Sequence, residues 1–153
     1  HLYMRVVIQR VMEASVKVDN EVVGNIDNGL LVFAGFEEED NNEDIDWIVR
    51  KIIGLRIFND AQQIMNLSIV ETGGNMLVIS QFTLHASTKK GNRPSYIKAA
   101  KPQSALTKYE STLALLSEAL GKKVERGVFG ADMKVSLIND GPVTILMDSK
   151  NKE

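Results

Sequence analysis

The sequence predicts an α+β fold: a mainly antiparallel or mixed β-sheet carrying two principal helices. Three observations predict it. Short segments with alternating or continuous apolar patterning open and close the chain. Two longer segments carry apolar residues at helical spacing. Strands and helices do not alternate in the regular manner of parallel βαβ proteins.

His1, Leu2 and Tyr3 precede Met4, which reads as the natural start; these three residues are set aside as an expression remnant. Residues 4–153 are read as a single domain, since a 153-residue chain fits one. Residues 4–12 form a strand rich in Val and Ile. Residues 14–18 and 21–26 flank Asp19-Asn20, a hairpin turn signal. Asn28-Gly29 is a stronger one, because both residues tolerate positive φ. Residues 30–34 are continuously apolar, as in a strand buried on both faces.

Residues 37–46 hold seven acids and no base. They lack the alternating ligands and central glycine of a calcium loop, and read as the acidic start of a helix. Asp40, Asn41 or Asn42 is its N-cap; Ile45, Ile48, Ile52 and Leu55 form its apolar face; Gly54 weakens its end. Residues 76–80 are another continuous apolar strand, after the turn Gly73-Gly74. Residues 89–101 contain Gly91 and Pro94 and are partly irregular. Pro102 opens a helix whose face is Leu106, Tyr109, Leu113, Leu116 and Leu120, and Gly121 ends it. Met133, Val135 and Leu137 alternate, as do Val143, Ile145 and Met147. They give two last strands separated by the turn Asn139-Asp140-Gly141-Pro142.

The chain has no cysteine, which excludes disulfides, thiolate nucleophiles and cysteine zinc sites. Its apolar runs are far shorter than the roughly 20 residues of a membrane span, and no signal-peptide pattern opens it. Net charge is −2, yet the charge is segregated. Residues 72–109 contain no acid but six cations: Lys89, Lys90, Arg93, Lys98, Lys101 and Lys108. The rest of the chain therefore holds 12 cations against 20 acids. Such a patch suits a polyanion; a solvated basic loop is the plainer alternative.

Ser80 and Thr83 place hydroxyls at the end of an apolar strand, a position that strand propensity alone explains. Hydrolysis through either needs a base. His85, the only histidine after Met4, would share a face with Thr83 if the strand continued, which makes a Thr83–His85 pair conceivable. No carboxylate nearby in sequence completes a triad. Gly141-Pro142 reads as a turn, Arg10 as a strand-edge cation and Phe129 as core.

Five segments together resemble the D-aminoacyl-tRNA deacylase family: residues 4–11, 80–84, 90–95, 129–133 and 139–144, in its order and spacing, over residues 4–148. The resemblance implies a barrel-like sheet, a cytoplasmic homodimer without metal or cofactor, and an aminoacyl-tRNA acceptor end as partner, with no membrane. It implies hydrolysis of the ester linking a D-amino acid, and also glycine on tRNA-Ala, to tRNA. Ser80, Gln81, Phe82 and Thr83 would be catalytic, with backbone N–H groups around Phe82 and Thr83 as oxyanion donors and the terminal ribose 2′-hydroxyl activating water. Leu84, Ala86, Phe129, Gly141 and Pro142 would bind substrate. The Gly141-Pro142 bond would be cis and would reach into the partner subunit's pocket. Its carbonyls would bar an L-side chain by collision. Arg10 would brace the partner's turn. Lys89, Lys90, Arg93, Lys98 and Lys101 would meet tRNA phosphates. Two alternatives are a covalent Ser/Thr esterase acting through Thr83 and a nucleic-acid-binding module that cuts nothing.

Overall fold

The computed structural model describes residues 4–153; the three residues set aside above as an expression remnant lie outside the described residues. The sheet is organised around β1 (Arg5–Val18), one continuous strand of 14 residues. The N-terminal half of β1 pairs antiparallel with β3 (Gly29–Gly35), and its C-terminal half with β2 (Glu21–Ile26). Its opposite edge is covered from Arg5 to Lys17 by β8 (Lys134–Asp148), also antiparallel. Beyond β3 lie β6 (Asn75–Ser80) and β7 (Glu125–Arg126), each parallel to its neighbour. The sheet is therefore mixed. It nearly closes on itself: a Cβ on Gly24 of β2 would stand 2.6 Å from the carbonyl oxygen of Arg126 in β7.

Parallel neighbours require crossovers, and helices supply them. The chain runs from β3 to β6 through α1 (Asn42–Gly54), the short hairpin of β4 (Phe58–Asn59) and β5 (Met65–Leu67), and α2 (Ile69–Thr72). It runs from β6 to β7 through α3 (Pro102–Leu120). Ile45, Ile48 and Ile52 of α1 and Tyr109, Leu113 and Leu116 of α3 pack on Val6, Ile8, Leu30, Val32 and Val78. The opposite face of the sheet holds a smaller core of Val11, Val16, Ile26, Leu31, Leu77 and Ile79. The strands β3 and β6 are thus covered on both sides, which explains their unbroken apolar runs.

Local chemistry accounts for the boundaries. Asp19 and Asn20 adopt φ of 51° and 67°, as a two-residue hairpin turn requires. Asn41 is the N-cap of α1: its side chain accepts from the Asp44 N–H while the Asp44 carboxylate accepts from the Asn41 N–H. Pro102 begins α3, and Gly121, at φ 81°, ends it.

Three expectations need correction, and two elements are added. Neither Asn28 nor Gly29 has positive φ; glycine is needed at 29 because any Cβ would fall 1.8 Å from the Asn75 carbonyl oxygen on β6. On α3, Leu106 is exposed, and Ala105 takes its place beside Tyr109 and Leu113 because 105 is four residues before 109. The β4–β5 hairpin and α2, capped by Ser68 and Glu71, add elements that the apolar pattern does not signal. Finally, the last two strands are one. On either side of the Gly141-Pro142 segment, β8 keeps β1 as its partner. Between the pairs Gln9–Thr144 and Val11–Asn139, β1 advances two residues while β8 spends five, so residues 140–143 loop outward from a continuous strand.

Candidate active site

Because β3 and β6 are parallel, both end at the same edge of the sheet, where Ala34 pairs with Ser80. The chain leaving β6 does not continue as a strand. Residues Phe82–His85 form one turn of 3-10 helix, begun by the Gln81 N–H donating to the Ala34 carbonyl at 2.8 Å. The first N–H groups of such a turn, here those of Phe82 and Thr83, have no acceptor within it.

Beside this turn lies a pocket of about 610 Å³. Ser80, Gln81, Phe82 and Thr83 form one wall, Gly35 and Phe36 from the end of β3 the floor, and residues 99–102 with Ala105 a second wall. Phe129, Gly130, Ala131 and Met133 close it. Phe82 is 56% exposed and meets Tyr96 edge to face, with ring centroids 5.0 Å apart. Phe129 packs against the core on Tyr109, at 5.9 Å, and also lines the pocket.

The Thr83 hydroxyl accepts a hydrogen bond from the Gln81 side-chain amide at 2.9 Å, a partner that cannot act as a base. The conceivable Thr83–His85 pair does not form. A 3-10 turn rotates each residue by about 120°, so positions two apart no longer share a face. His85 instead points inward, 1% exposed, with Nδ1 2.9 Å from Oε1 of the fully buried Glu37. Sequence proximity offers no carboxylate for this histidine because Glu37 is brought to it by the fold, from the segment after β3. Tyr96, Ala99 and Ala100 escape a sequence reading for the same reason.

Not every expected substrate-binding residue reaches the pocket. Leu84 faces a groove on the other side of the turn, with Arg5 and Leu146, and Ala86 is absent from the pocket wall. Gly141 and Pro142 also stand apart from their own chain's pocket. Their bond is cis and both residues are exposed at the tip of the β8 excursion. Asn139 closes the neck of that excursion, accepting from the Val143 N–H at 2.7 Å and donating to the Thr144 hydroxyl at 3.0 Å. Arg10, 7% exposed, supports it from beneath: Nε donates to the Asp140 carbonyl at 3.0 Å and Nη1 to the Ile57 carbonyl at 2.6 Å. Arg10 thus braces the turn of its own chain.

The basic stretch divides. Lys101 sits on the pocket wall. Lys89, Lys90 and Arg93 lie on a loop pinched by the Ser87–Ser95 bridge, and Lys98 follows it. These four are exposed and form no ion pair among the described residues. Lys108 is internal in role, donating to the carbonyls of Glu37 and Glu38 at 3.1 and 2.7 Å. No helix among the described residues is long and apolar enough to cross a membrane.

Comparison with known proteins finds matches over nearly the whole chain. The family model described as D-Tyr-tRNA(Tyr) deacylase matches residues 7–148. A D-aminoacyl-tRNA deacylase of Flavobacterium psychrophilum is 61% identical over 150 residues, covering 98% of this chain and all of the relative. One of Bacteroides thetaiotaomicron is also 61% identical with the same coverage. Among solved structures, one named c-Myc DNA Unwinding Element Binding Protein superimposes with a TM-score of 0.89 at 36% identity, over 94% of this chain and 97% of that one. A probable eukaryotic D-amino acid tRNA deacylase shares the fold, with a TM-score of 0.83 at 17% identity, over 96% of this chain and all of the other.

Proposed function

The chain belongs to the D-Tyr-tRNA(Tyr) deacylase family, and from that premise we propose how it hydrolyses the ester of D-aminoacyl-tRNA and spares the L-enantiomer. The acceptor end enters the pocket between Phe82 and Phe129, and its terminal ribose places the ester against the 82–85 turn. The N–H groups of Phe82 and Thr83 receive the negative charge that develops on the carbonyl oxygen. The ribose 2′-hydroxyl orients and activates the attacking water, and the bond from carbonyl carbon to ribose oxygen breaks. No side chain is acylated. The Gln81-bound hydroxyl of Thr83 supports this, because its partner is an amide and not a base.

Chirality is tested by main chain. The protein acts as a homodimer in which the Gly141-Pro142 tip of one copy stands beside the α-carbon in the other copy's pocket. The tip lies outside its own chain's pocket, and a buried arginine holds it rigid while leaving it exposed. A carbonyl wall there collides with an L-side chain and leaves a D-side chain free to project outward. Glycine has nothing to collide, so glycyl-tRNA(Ala) is cleaved as well. Lys89, Lys90, Arg93 and Lys98 hold the phosphates of the incoming strand, with Lys101 at the pocket mouth. The work is cytoplasmic, where aminoacyl-tRNA is made.

The observation that carries this reading is the pocket itself, with the Ser80–Thr83 segment as its wall. Its test is incubation of the purified protein with D-Tyr-tRNA, L-Tyr-tRNA and glycyl-tRNA(Ala) while ester loss is followed. The D- and glycyl-esters should disappear far faster than they hydrolyse spontaneously, and the L-ester should persist. Survival of the D-ester contradicts the proposal. It would favour a second reading, a nucleic-acid-binding module that cuts nothing, which draws on the exposed cations and on the name of the 36%-identical structure.

A further inference from the structure

We propose that the buried Glu37–His85 pair is a positioning device for the 82–85 turn, setting the place of its free N–H groups in the reaction assigned above, on which this inference rests.

The two residues leave different strands. Glu37 follows β3, which ends at Gly35, and His85 closes the 3-10 turn that follows β6. Nδ1 lies 2.9 Å from Oε1, a close polar contact outside hydrogen-bond geometry, and it brings the two departing segments together behind the pocket wall. The Glu37 side is itself fixed. Its N–H donates to Asp40 Oδ2 at 2.6 Å, its carbonyl accepts from Lys108 Nζ, and the preceding Phe36 carbonyl accepts from the Ala100 N–H at 2.8 Å. The imidazole lies over the end of β3, where a Cβ on Gly35 would stand 3.0 Å from His85 Cδ2. The turn has two other fasteners: Gln81 N–H to the Ala34 carbonyl at its start, and Arg5 Nη1 to the Leu84 carbonyl at 2.9 Å. His85 is the residue of the turn whose own side chain anchors it into the interior.

A pair of buried polar groups is poorly explained by stability. Desolvation cancels most of what the contact contributes, and apolar residues of similar volume serve a core as well or better. What the pair supplies is direction. Oxyanion stabilisation depends on donors held about 3 Å from the developing charge, and removing one such donor lowers kcat by roughly 10²–10³. A turn that shifts without being lost should cost less, of the order of tenfold to a hundredfold. Substrate affinity, set by the pocket and the cations, should not follow.

Four variants test this: His85→Leu, His85→Asn, Glu37→Gln, and the double Glu37→Leu/His85→Leu. Each is assayed with D-Tyr-tRNA for kcat and KM, and by thermal unfolding. Asparagine brings its amide nitrogen close to the place of Nδ1. The double variant removes both polar groups, so no carboxylate is left buried alone. The expected result is a kcat lowered about tenfold or more in His85→Leu and in the double variant, with KM within about twofold. His85→Asn should recover most of the rate. Glu37→Gln should lower kcat in the same sense, and the loss in the double variant should not exceed that in His85→Leu alone. Wild-type kcat in the folded double variant overturns the inference, as does a rate that follows thermal stability across the set. A wild-type protein that leaves D-Tyr-tRNA intact instead sinks the assigned reaction, and the two failures are thereby told apart.

Discussion

Arg10→Met removes the guanidinium beneath the Gly141-Pro142 tip and keeps an apolar stem of similar length. Two hydrogen bonds from a charged donor disappear, to the Asp140 and Ile57 carbonyls at 3.0 and 2.6 Å. Asp140 is half-exposed and can return to water, whereas the Ile57 carbonyl was satisfied at a buried contact. Counting one charge-assisted bond in full and the other in part gives a destabilisation of about 3 kcal/mol. The tip loses the group packed beneath it, since Nη2 lies within 3.1 Å of where a Gly141 Cβ would be. A loosened wall no longer excludes an L-side chain. A displacement of about 1 Å in a positioning group changes rates by roughly 10², so the ratio of D- to L-Tyr-tRNA cleavage should fall about 10- to 100-fold. The assay is single-turnover ester loss with each enantiomer, below the variant's melting transition. An unchanged ratio in a folded variant would refute the reasoning, because the tip would then be rigid without its support.

Three further outcomes are expected. Lys89→Glu/Lys90→Glu should weaken tRNA binding and flatten the dependence of log affinity on log salt by roughly 1.5 units, about 0.7–0.9 for each phosphate that is no longer neutralised; an unchanged slope in a filter-binding titration speaks against the assigned path. Asp40 is pushed up to about 7 by burial, with the Asp44 and Glu37 charges adding and the Glu37 N–H opposing. Between its ordinary value and that point the folded protein holds a proton that the unfolded chain has released, so stability should fall as pH rises across the interval, by up to about 4 kcal/mol. Asp40→Asn should abolish that slope in urea titrations, matching the wild type near pH 4 and exceeding it near pH 8; parallel slopes would show that Asp40 is not their source. Thr83→Ala should retain turnover of D-Tyr-tRNA within about tenfold, since its hydroxyl is not the nucleophile, whereas total loss together with a trapped wild-type acyl-enzyme would restore the covalent mechanism.

How much of the molecule is readable in its sequence varies with the range of the interactions involved. Period and capping are local, so α1, α3 and most strands can be placed, down to Pro102 and Gly121 at the ends of α3. The merger of the last two strands into β8 cannot. Asn139-Asp140-Gly141-Pro142 carries every local mark of a turn, and only pairing with β1 on both sides shows it to be an excursion. The crossover through α1 and α2 lets β3 and β6 run parallel, and their shared edge creates the pocket. The Ser80–Thr83 segment can be singled out in advance, while Tyr96 and Gly35 cannot. The strand ends at Ser80, as its apolar run indicates, but the 3-10 turn that follows sends the imidazole inward to a carboxylate 48 positions earlier. A single sequence carries no signal for such a contact. Leu84 lies on the other side of the turn from Phe82 and Thr83, because a 3-10 turn distributes consecutive side chains over three directions.

The central claim is that one copy's tip guards the other copy's pocket, and a mixed dimer tests it most directly. One subunit carries Ala131→Trp, which fills the pocket and leaves the tip intact; the other carries Arg10→Met, which leaves the pocket open and loosens the tip. Only the Arg10→Met subunit can then cleave, and a tip acting across the dimer would be supplied to it by the Ala131→Trp copy. The account predicts cleavage of D-Tyr-tRNA at about half the wild-type rate with L-Tyr-tRNA spared, one of two sites being open. Cleavage of L-Tyr-tRNA at the rate of the Arg10→Met homodimer would contradict it.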